Sequence, residues 1–204
     1  MIKIGTRSSE LALWQANTVA RQLENLGHST KIIKIDSIGD QVLDKPLYEL
    51  GVTGVFTKSL DIALINGDID IAVHSLKDVP TKLPEGVIQA AVLKRGNYND
   101  VLILKKDENF FENEIATIAT GSLRRKAQWL HRYPKHNITG LRGNVNTRLQ
   151  KLKDNPWDGA IFALAGLSRI KLLPNKDRHI KLDWMLPAPA QGAIMIAALK
   201  KNNN

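Results

Sequence analysis

The stretch "IKIGTRSSELALWQANTVARQLENLG", residues 2–27, indicates the class of fold. Its first five residues have the composition of a β-strand, and a short polar loop follows them. Apolar side chains then recur at three- and four-residue steps, as on one face of an α-helix, at Ala12, Ala16, Val19, Leu23 and Leu26. Ser9 is placed to cap this helix and Gly27 to end it. A strand, a loop and a helix in this order are typical of an α/β sheet.

Predicted strands and helices continue to alternate along the rest of the chain. Strands are predicted at 30–36, 69–75, 86–95, 100–106, 114–120, 137–142 and 159–164, and helices at 56–68, 122–133, 144–154 and 165–173. This alternation predicts an α/β fold with mostly parallel sheets flanked by helices. We expect two domains joined near residues 94–99, with "PAPAQG", residues 187–192, as a second linker.

The composition is that of an ordinary globular protein, with 43% hydrophobic and 24% charged residues among 204. No apolar run is long enough to span a membrane, and the N-terminus lacks a leader pattern. A cytoplasmic protein without membrane contact is therefore expected. The absence of cysteine excludes disulfides and thiolate catalysis. The five histidines lack the spacing of metal ligands, so no metal site is predicted.

The net charge of +9 favours an anionic ligand. In open α/β sheets, ligands bind beyond the carboxyl ends of the strands, where helix N-termini favour anions. Basic residues follow several predicted strands, and they are Arg7, Lys77, Arg124 with Arg125, Arg142 with Arg148, and Arg169. A single arginine is usually a surface side chain, but recurrence at strand ends favours a site. We predict an arginine-rich cleft that binds carboxylates or phosphates, with Asp78 as its carboxylate.

Six segments resemble, in the same order, segments of the porphobilinogen deaminase family, also called hydroxymethylbilane synthase. They are "IGTRSSELALWQA", "DIAVHSLKDVP", "ATGSLRRKAQ", "LRGNVNTRLQKL", "AGLSRI" and "PAPAQGA". The similarity extends over essentially the whole chain, and the combination of "HSLKDVP", "SLRR" and "LRGNVNTRL" is highly specific to that family.

The resemblance implies two domains like those of type II periplasmic binding proteins, with a cleft between them. Domain 1 would comprise 1–93 plus 193–204, because the chain returns to it after the second linker, and domain 2 would comprise 98–187. The implied reaction joins four porphobilinogen units into hydroxymethylbilane and releases ammonia, on a dipyrromethane cofactor, as a step of tetrapyrrole and heme biosynthesis. The implied partner is porphobilinogen alone, and a monomer that binds neither nucleic acid nor membrane is expected.

The resemblance also implies roles for individual residues. Asp78 matches the catalytic aspartate, which would stabilise a cationic intermediate and assist proton transfer. The residues expected to hold the carboxylates of the cofactor are Lys77, Thr120, Ser122, Arg124, Arg125, Arg142, Arg148 and Gln191. Those expected near the substrate and the growing chain are Arg7, Ser9 and Arg169. Porphobilinogen carries acetate and propionate groups, so arginine is the expected counter-charge.

Three departures from the family pattern accompany the resemblance. The chain has no cysteine, and we expect the third domain, whose cysteine anchors dipyrromethane, to be missing. Covalent attachment of the cofactor and full turnover are therefore expected to be impaired in this chain. Thr53 stands where the family usually has a lysine, and Ile38 where it commonly has an arginine.

Two other functions are compatible with the residues. A non-catalytic protein could use the same cleft to bind an anionic small molecule. Nucleic-acid binding is suggested by the high isoelectric point and by "SLRRKAQWLHRYPKH". Placement at strand ends accounts for these arginines better than a continuous basic stripe does.

Overall fold

The computed structural model describes residues 1–37, 54–105 and 115–200, so Ile38 and Thr53 lie outside the described residues. The described chain forms two compact units. Unit 1 comprises 1–37, 54–96 and 192–200, and unit 2 comprises 97–105 and 115–191. The chain crosses from unit 1 to unit 2 after residue 96 and returns to unit 1 after residue 191.

The strands and helices alternate as the sequence predicts. Unit 1 begins with β1 (Ile2–Thr6), α1 (Glu10–Asn25), β2 (Thr30–Lys34), α2 (Lys58–Ile65), β3 (Ile71–Ser75) and β4 (Val87–Val92). Unit 2 contains β5 (Asp100–Leu104), β6 (Thr117–Ala119), α3 (Leu123–Arg132), β7 (Asn137–Thr139), α4 (Val145–Asp154), β8 (Gly159–Ala163), α5 (Leu164–Arg169) and β9 (His179–Leu182). The chain then returns to unit 1 as β10 (Ile194–Leu199). The α/β class is confirmed, and β9 is an element that the sequence did not predict.

Both sheets are mixed, and in each of them one strand runs against the direction of the other four. Over the described residues their strand orders are β2-β1-β3-β10-β4 and β7-β6-β8-β5-β9. In unit 1, β1 runs parallel to β2 and β3, whereas β10 is antiparallel to β3 and β4. In unit 2, β6 runs parallel to β7 and β8, whereas β5 is antiparallel to β8 and β9. The two reversed strands, β5 and β10, are the first strands after the chain crosses from one unit to the other. Neither is joined to a neighbouring strand by a helical crossover, which is the usual connection between parallel strands.

Helices pack on both faces of the sheet in unit 1. Ala16 and Val19 of α1 pack with Val73, while Leu60 and Leu64 of α2 belong to a separate core cluster. The two faces can be covered independently because successive side chains of a strand point in opposite directions. The predicted Ser9 cap is confirmed, since its Oγ accepts a hydrogen bond from the Ala12 N–H at 3.3 Å.

Unit 2 is built in the same way around its own sheet. Trp129 of α3 is fully buried on one face, where it packs with Leu102 and Ile161. Leu152 of α4 and Leu167 of α5 pack in the core cluster of the other face. Among the helices described here, none has the length and apolar character needed to cross a membrane.

Candidate functional site

Three neighbouring parallel strands of unit 2 end at one edge of its sheet. They are β7, β6 and β8, and we call the edge formed by residues 120–125, 141–144 and 164–169 the carboxyl edge of unit 2. Thr120 and Ser122 follow β6, Arg142 follows β7, and Arg169 is the last residue of α5, which follows β8. The strand-end rule therefore places these predicted residues on the same edge, as expected.

A close backbone approach joins two loops of this edge. Gly121 packs so tightly that a Cβ atom built on it would lie 2.5 Å from the carbonyl oxygen of Leu141. The Thr120 N–H also donates to the Thr139 carbonyl oxygen at 2.9 Å. These contacts hold the loop of Ser122 against the loop that leads to Arg142.

We expect Gly121→Ala to lower the free energy of unfolding by about 1–3 kcal/mol, because the methyl group can be accommodated only if one of the two loops moves. Gly140→Ala is the matched control, since a Cβ there meets no atom within 4 Å. Urea unfolding followed by tryptophan fluorescence measures both variants. Equal stabilities of the two variants would contradict the role given to Gly121.

Side chains at the carboxyl edge of unit 2 cap the helices that start there. Ser122 Oγ accepts from the Arg125 N–H at 3.4 Å, and Asn144 Oδ1 accepts from the Thr147 N–H at 2.9 Å. Thr120 Oγ1 accepts from the Ser122 N–H at 3.2 Å. A hydroxyl that accepts at its oxygen can still donate its hydrogen, so both hydroxyl groups remain suitable donors to a ligand carboxylate.

A fully buried carboxylate, Asp100, lies among these arginines, and the sequence did not predict its role. Arg124 Nη2 donates to Oδ2 at 2.6 Å, while Arg125 donates to Oδ1 from Nε at 3.1 Å and from Nη2 at 2.7 Å. Gln191 Nε2 also donates to Oδ1, at 2.9 Å. We call Asp100, Arg124, Arg125 and Gln191 the Asp100 cluster. Asp100 reaches this edge because β5 is antiparallel to β8, with Asp100 opposite Ala163.

The Asp100 carboxylate is held in its charged form. Burial alone would raise the pKa of Asp100, but the charges of Arg125 and Arg124, with the hydrogen bonds from Arg125 and Gln191, lower it below its ordinary value. The two arginines differ in exposure. The Arg125 side chain is 7% exposed and its Nη1 also donates to the Ile161 carbonyl oxygen at 3.0 Å, whereas the Arg124 side chain is 24% exposed.

The other three predicted site arginines of unit 2 are partly or fully withdrawn from solvent. Arg142 is buried, and Arg148 Nε donates to the Gly143 carbonyl oxygen at 2.7 Å. Arg169 is half-buried, and this burial lowers its pKa from the ordinary value. Arginine stays protonated in proteins, so all three contribute positive charge close to the strand ends.

Unit 1 carries the other predicted site residues. Arg7 follows β1, and its guanidinium carbon lies 4.2 Å from the centroid of the Phe56 ring, a cation–π contact. Lys77 is exposed and Asp78 is half-buried in a 3-10 turn, Leu76–Asp78, that directly follows β3. Because β1 and β3 are parallel neighbours, Arg7 and this turn lie at the same edge of the sheet, beyond the carboxyl ends of the two strands.

Gln15, whose role was not predicted from the sequence, connects α1 to the end of β3. Its Nε2 donates to Ser75 Oγ at 2.8 Å, and the Gln15 side chain is buried. The contact joins residues that are far apart in sequence, so periodicity could not predict it. It fixes the strand end from which the turn containing Asp78 begins.

His74, the residue before Ser75, is buried and neutral at pH 7. Burial, and secondarily the positive charge of Arg7, lowers its pKa to about 4. The unfolded chain binds a proton on this histidine below about pH 6.5, whereas the folded chain does not bind it until about pH 4. Protonation of His74 therefore favours the unfolded state, and the stability of the fold decreases as the pH falls from about 6.5 to about 4.

We expect the free energy of unfolding to fall by up to about 3 kcal/mol between pH 7 and pH 4 through His74 alone. His74→Gln should remove this part of the pH dependence, whereas His28→Gln, at an exposed histidine of unit 1, should leave it in place. Urea unfolding at several pH values measures the slope for each variant. A slope unchanged in His74→Gln would contradict the assignment.

Comparison with known proteins associates this chain with one family. The family model described as the dipyrromethane cofactor binding domain of porphobilinogen deaminase matches residues 2–204. A probable porphobilinogen deaminase from Methanocaldococcus jannaschii is 49% identical over 197 residues, which are 97% of this chain and 67% of that protein. The porphobilinogen deaminase of Syntrophotalea carbinolica is 44% identical over 95% of this chain and 62% of its own length. The chain thus spans about two thirds of the length of these relatives.

Solved structures of more distant proteins share the fold. The methionine-binding protein MetQ matches with a TM-score of 0.60 at 16% identity, covering 98% of this chain and 83% of that protein. A periplasmic substrate-binding protein of an ABC transporter from Coxiella burnetii matches with a TM-score of 0.58 at 17% identity, covering 98% and 85%. The predicted likeness to type II periplasmic binding proteins is confirmed for the fold.

Proposed function

The chain belongs to the porphobilinogen deaminase family, and on that premise we propose that it takes part in hydroxymethylbilane synthesis. The reaction condenses four porphobilinogen units stepwise, releases ammonia, and belongs to tetrapyrrole biosynthesis. We extend the proposal to a monomer that acts in the cytoplasm on porphobilinogen, without nucleic acid or membrane as a partner. Light scattering on the purified chain tests the monomer.

The observation that carries this proposal is the convergence of cationic and hydroxyl side chains on the carboxyl edge of unit 2. Three parallel strands deliver them, and they are Thr120, Ser122, Arg124, Arg125, Arg142 and Arg169, while Arg148 of α4 donates to the Gly143 carbonyl oxygen of this edge. Guanidinium groups and hydroxyl donors suit a ligand with several carboxylates. Porphobilinogen and its oligomers are such ligands, because every pyrrole ring carries one acetate and one propionate.

We propose separate tasks for the residues of the two units. Arg124, Arg125, Arg142 and Arg148, with Thr120, Ser122 and Gln191, would bind carboxylates of the cofactor, and Lys77 of unit 1 would bind another. Arg7, Ser9 and Arg169 would bind the incoming substrate and the elongating chain. Asp78 would stabilise the positive charge that develops when porphobilinogen loses ammonia, and would assist the accompanying proton transfers.

The residues present fit a dipyrromethane cofactor by their chemistry. The Asp100 cluster contains two guanidinium groups and one carboxylate, so one positive charge remains unbalanced within it for an anion. When bound, dipyrromethane would supply the pyrrole position to which porphobilinogen units are added. The chain contains no cysteine, so its own contribution to holding the cofactor would be non-covalent.

The test is a porphobilinogen assay of this chain, with and without preformed hydroxymethylbilane and a separately supplied C-terminal domain of a relative. We expect porphobilinogen to be consumed, with hydroxymethylbilane and ammonia as products, when the C-terminal domain of the relative is supplied. The C-terminal domain without this chain is the control. Binding of porphobilinogen without consumption would support the non-catalytic alternative. A salt-dependent shift of duplex DNA without porphobilinogen binding would support the nucleic-acid alternative.

A further inference from the structure

We propose that Asp100 is a positioning residue. It holds the Arg124 and Arg125 guanidinium groups in one fixed arrangement, with the buried Gln191 amide as a further donor to Asp100, so that ligand carboxylates meet preformed guanidinium donors. The inference rests on the proposed function, since it concerns how this site binds pyrrole carboxylates. It gives a role to a residue that lies outside the segments carrying the family resemblance.

The first support is the charge balance of the Asp100 cluster. Arg124 and Arg125 are adjacent in sequence, and without a counter-ion their guanidinium groups would repel each other as they approach a common point. The Asp100 carboxylate binds both of them, with Oδ2 accepting from Arg124 and Oδ1 from Arg125. One net positive charge remains, so the cluster can still attract an anion while its members stay fixed.

The second support is the rigidity of the residue that makes these contacts. Asp100 is the first residue of β5 and is paired with Ala163 on one side and with Leu182 on the other. Its side chain is fully buried, so solvent does not compete for its oxygens. Groups that are held before binding lose less conformational freedom when a ligand arrives.

The third support is the way in which Gln191 joins the cluster. Its Nε2 donates to Asp100 Oδ1 at 2.9 Å and to the Tyr98 carbonyl oxygen at 2.7 Å. Gln191 is the last residue of unit 2 before the chain returns to unit 1, and Tyr98 is near its first. Asp100 therefore also fixes the end of unit 2, at a residue that the family resemblance assigns to the cofactor.

Within this cluster the two arginines have different surroundings. Arg125 is almost fully buried, and Nε, Nη1 and Nη2 all donate to protein oxygens. Arg124 is more exposed and is held by Asp100 and by the Leu186 carbonyl oxygen. We infer that Asp100 acts on ligand binding chiefly through Arg124, which is the more accessible of the two.

The test compares porphobilinogen binding to the wild-type chain and to Asp100→Asn, by NMR titration. Asparagine keeps the shape and one acceptor oxygen but removes the charge, and we expect binding to weaken by about tenfold to a hundredfold. Asp183→Asn is the matched control. Asp183 is an exposed carboxylate of the same unit that pairs with Lys181, and its loss should change binding by less than about twofold.

A double-mutant cycle separates positioning from a merely structural role. If Asp100 acts through Arg124, then Asp100→Asn combined with Arg124→Ala should bind no more weakly than Arg124→Ala alone. Additive losses in the cycle, or an Asp100→Asn affinity equal to that of the Asp183→Asn control, would overturn the proposal. A wild-type chain that does not bind porphobilinogen would instead overturn the proposed function itself.

A second variant covers the case in which Asp100→Asn does not fold, as judged by circular dichroism. Gln191→Met removes one donor of the Asp100 cluster and leaves both guanidinium contacts in place. We expect it to fold and to weaken porphobilinogen binding by about twofold to tenfold. Unchanged binding in a folded Gln191→Met chain would contradict a preformed arrangement that includes the Gln191 amide.

Discussion

Asp78→Asn is expected to slow porphobilinogen consumption by about a hundredfold to ten-thousandfold, in an assay that supplies the C-terminal domain of a relative. Loss of ammonia from porphobilinogen leaves a cationic, azafulvene-like electrophile. A carboxylate near the pyrrole nitrogens stabilises that charge and can accept or return a proton, whereas a neutral amide can do neither. Asparagine has nearly the same shape, so the variant isolates the charge.

Binding should change little in the same variant. The proposed carboxylate-binding residues are basic or carry hydroxyl groups, and removing a nearby negative charge does not take away any of their donors. We therefore expect the rate constant for the chemical step to fall while the affinity for porphobilinogen stays within about threefold, as for a group that acts mainly on the transition state.

Asp68→Asn is the matched control for this experiment. Asp68 is an exposed carboxylate of unit 1 that precedes β3, at the opposite end of the strand from Asp78. It should leave the rate unchanged. An Asp78→Asn rate close to that of Asp68→Asn would remove the catalytic assignment from Asp78, while leaving the binding roles of the arginines in place.

The parts of the fold that local chemistry determines could be predicted from the sequence. The spacing of apolar residues in α1 and its Ser9 cap are examples, because both depend on residues a few positions apart. The helix predicted over 122–133 is observed at Leu123–Arg132, with Ser122 as its cap. The strand β9 was missed because its four residues are too short to show a pattern, and its partner β5 is remote in sequence.

The candidate site was predictable only to the extent that strand ends determine it. The arginines after β6, β7 and β8 follow from the order of elements, and the structure places them on one edge. Asp100 could not be assigned in this way, because its position depends on the direction of β5. Had β5 been parallel to β8, Asp100 would lie at the opposite edge, and the sequence does not determine which strand of a mostly parallel sheet is reversed. One feature of the sequence could have indicated a role for Asp100. It is a carboxylate at the start of an apolar strand, in a chain with a net charge of +9.

Asp100→Ala should therefore destabilise unit 2 strongly, with an expected loss of about 3–5 kcal/mol in the free energy of unfolding at pH 7. Alanine removes the counter-ion and leaves the largely buried guanidinium groups of Arg124 and Arg125 without their shared acceptor. The matched control is Asp183→Ala, which breaks an exposed ion pair with Lys181 and a hydrogen bond from Asn99 Nδ2, and should lower stability far less than Asp100→Ala does. Urea unfolding followed by the fluorescence of the buried Trp129 reports on this unit.

The pH dependence gives this prediction a second, independent readout. Because the pKa of Asp100 is lower in the folded chain than in the unfolded chain, its stabilising effect is complete above the unfolded value of about 4. The effect is lost as the pH falls further, through the folded value. The difference in stability between the wild type and Asp100→Ala should thus be constant from pH 7 to pH 5 and shrink below about pH 4. A difference that stays constant into that acid range would mean that lost packing, rather than lost charge, destabilises the variant.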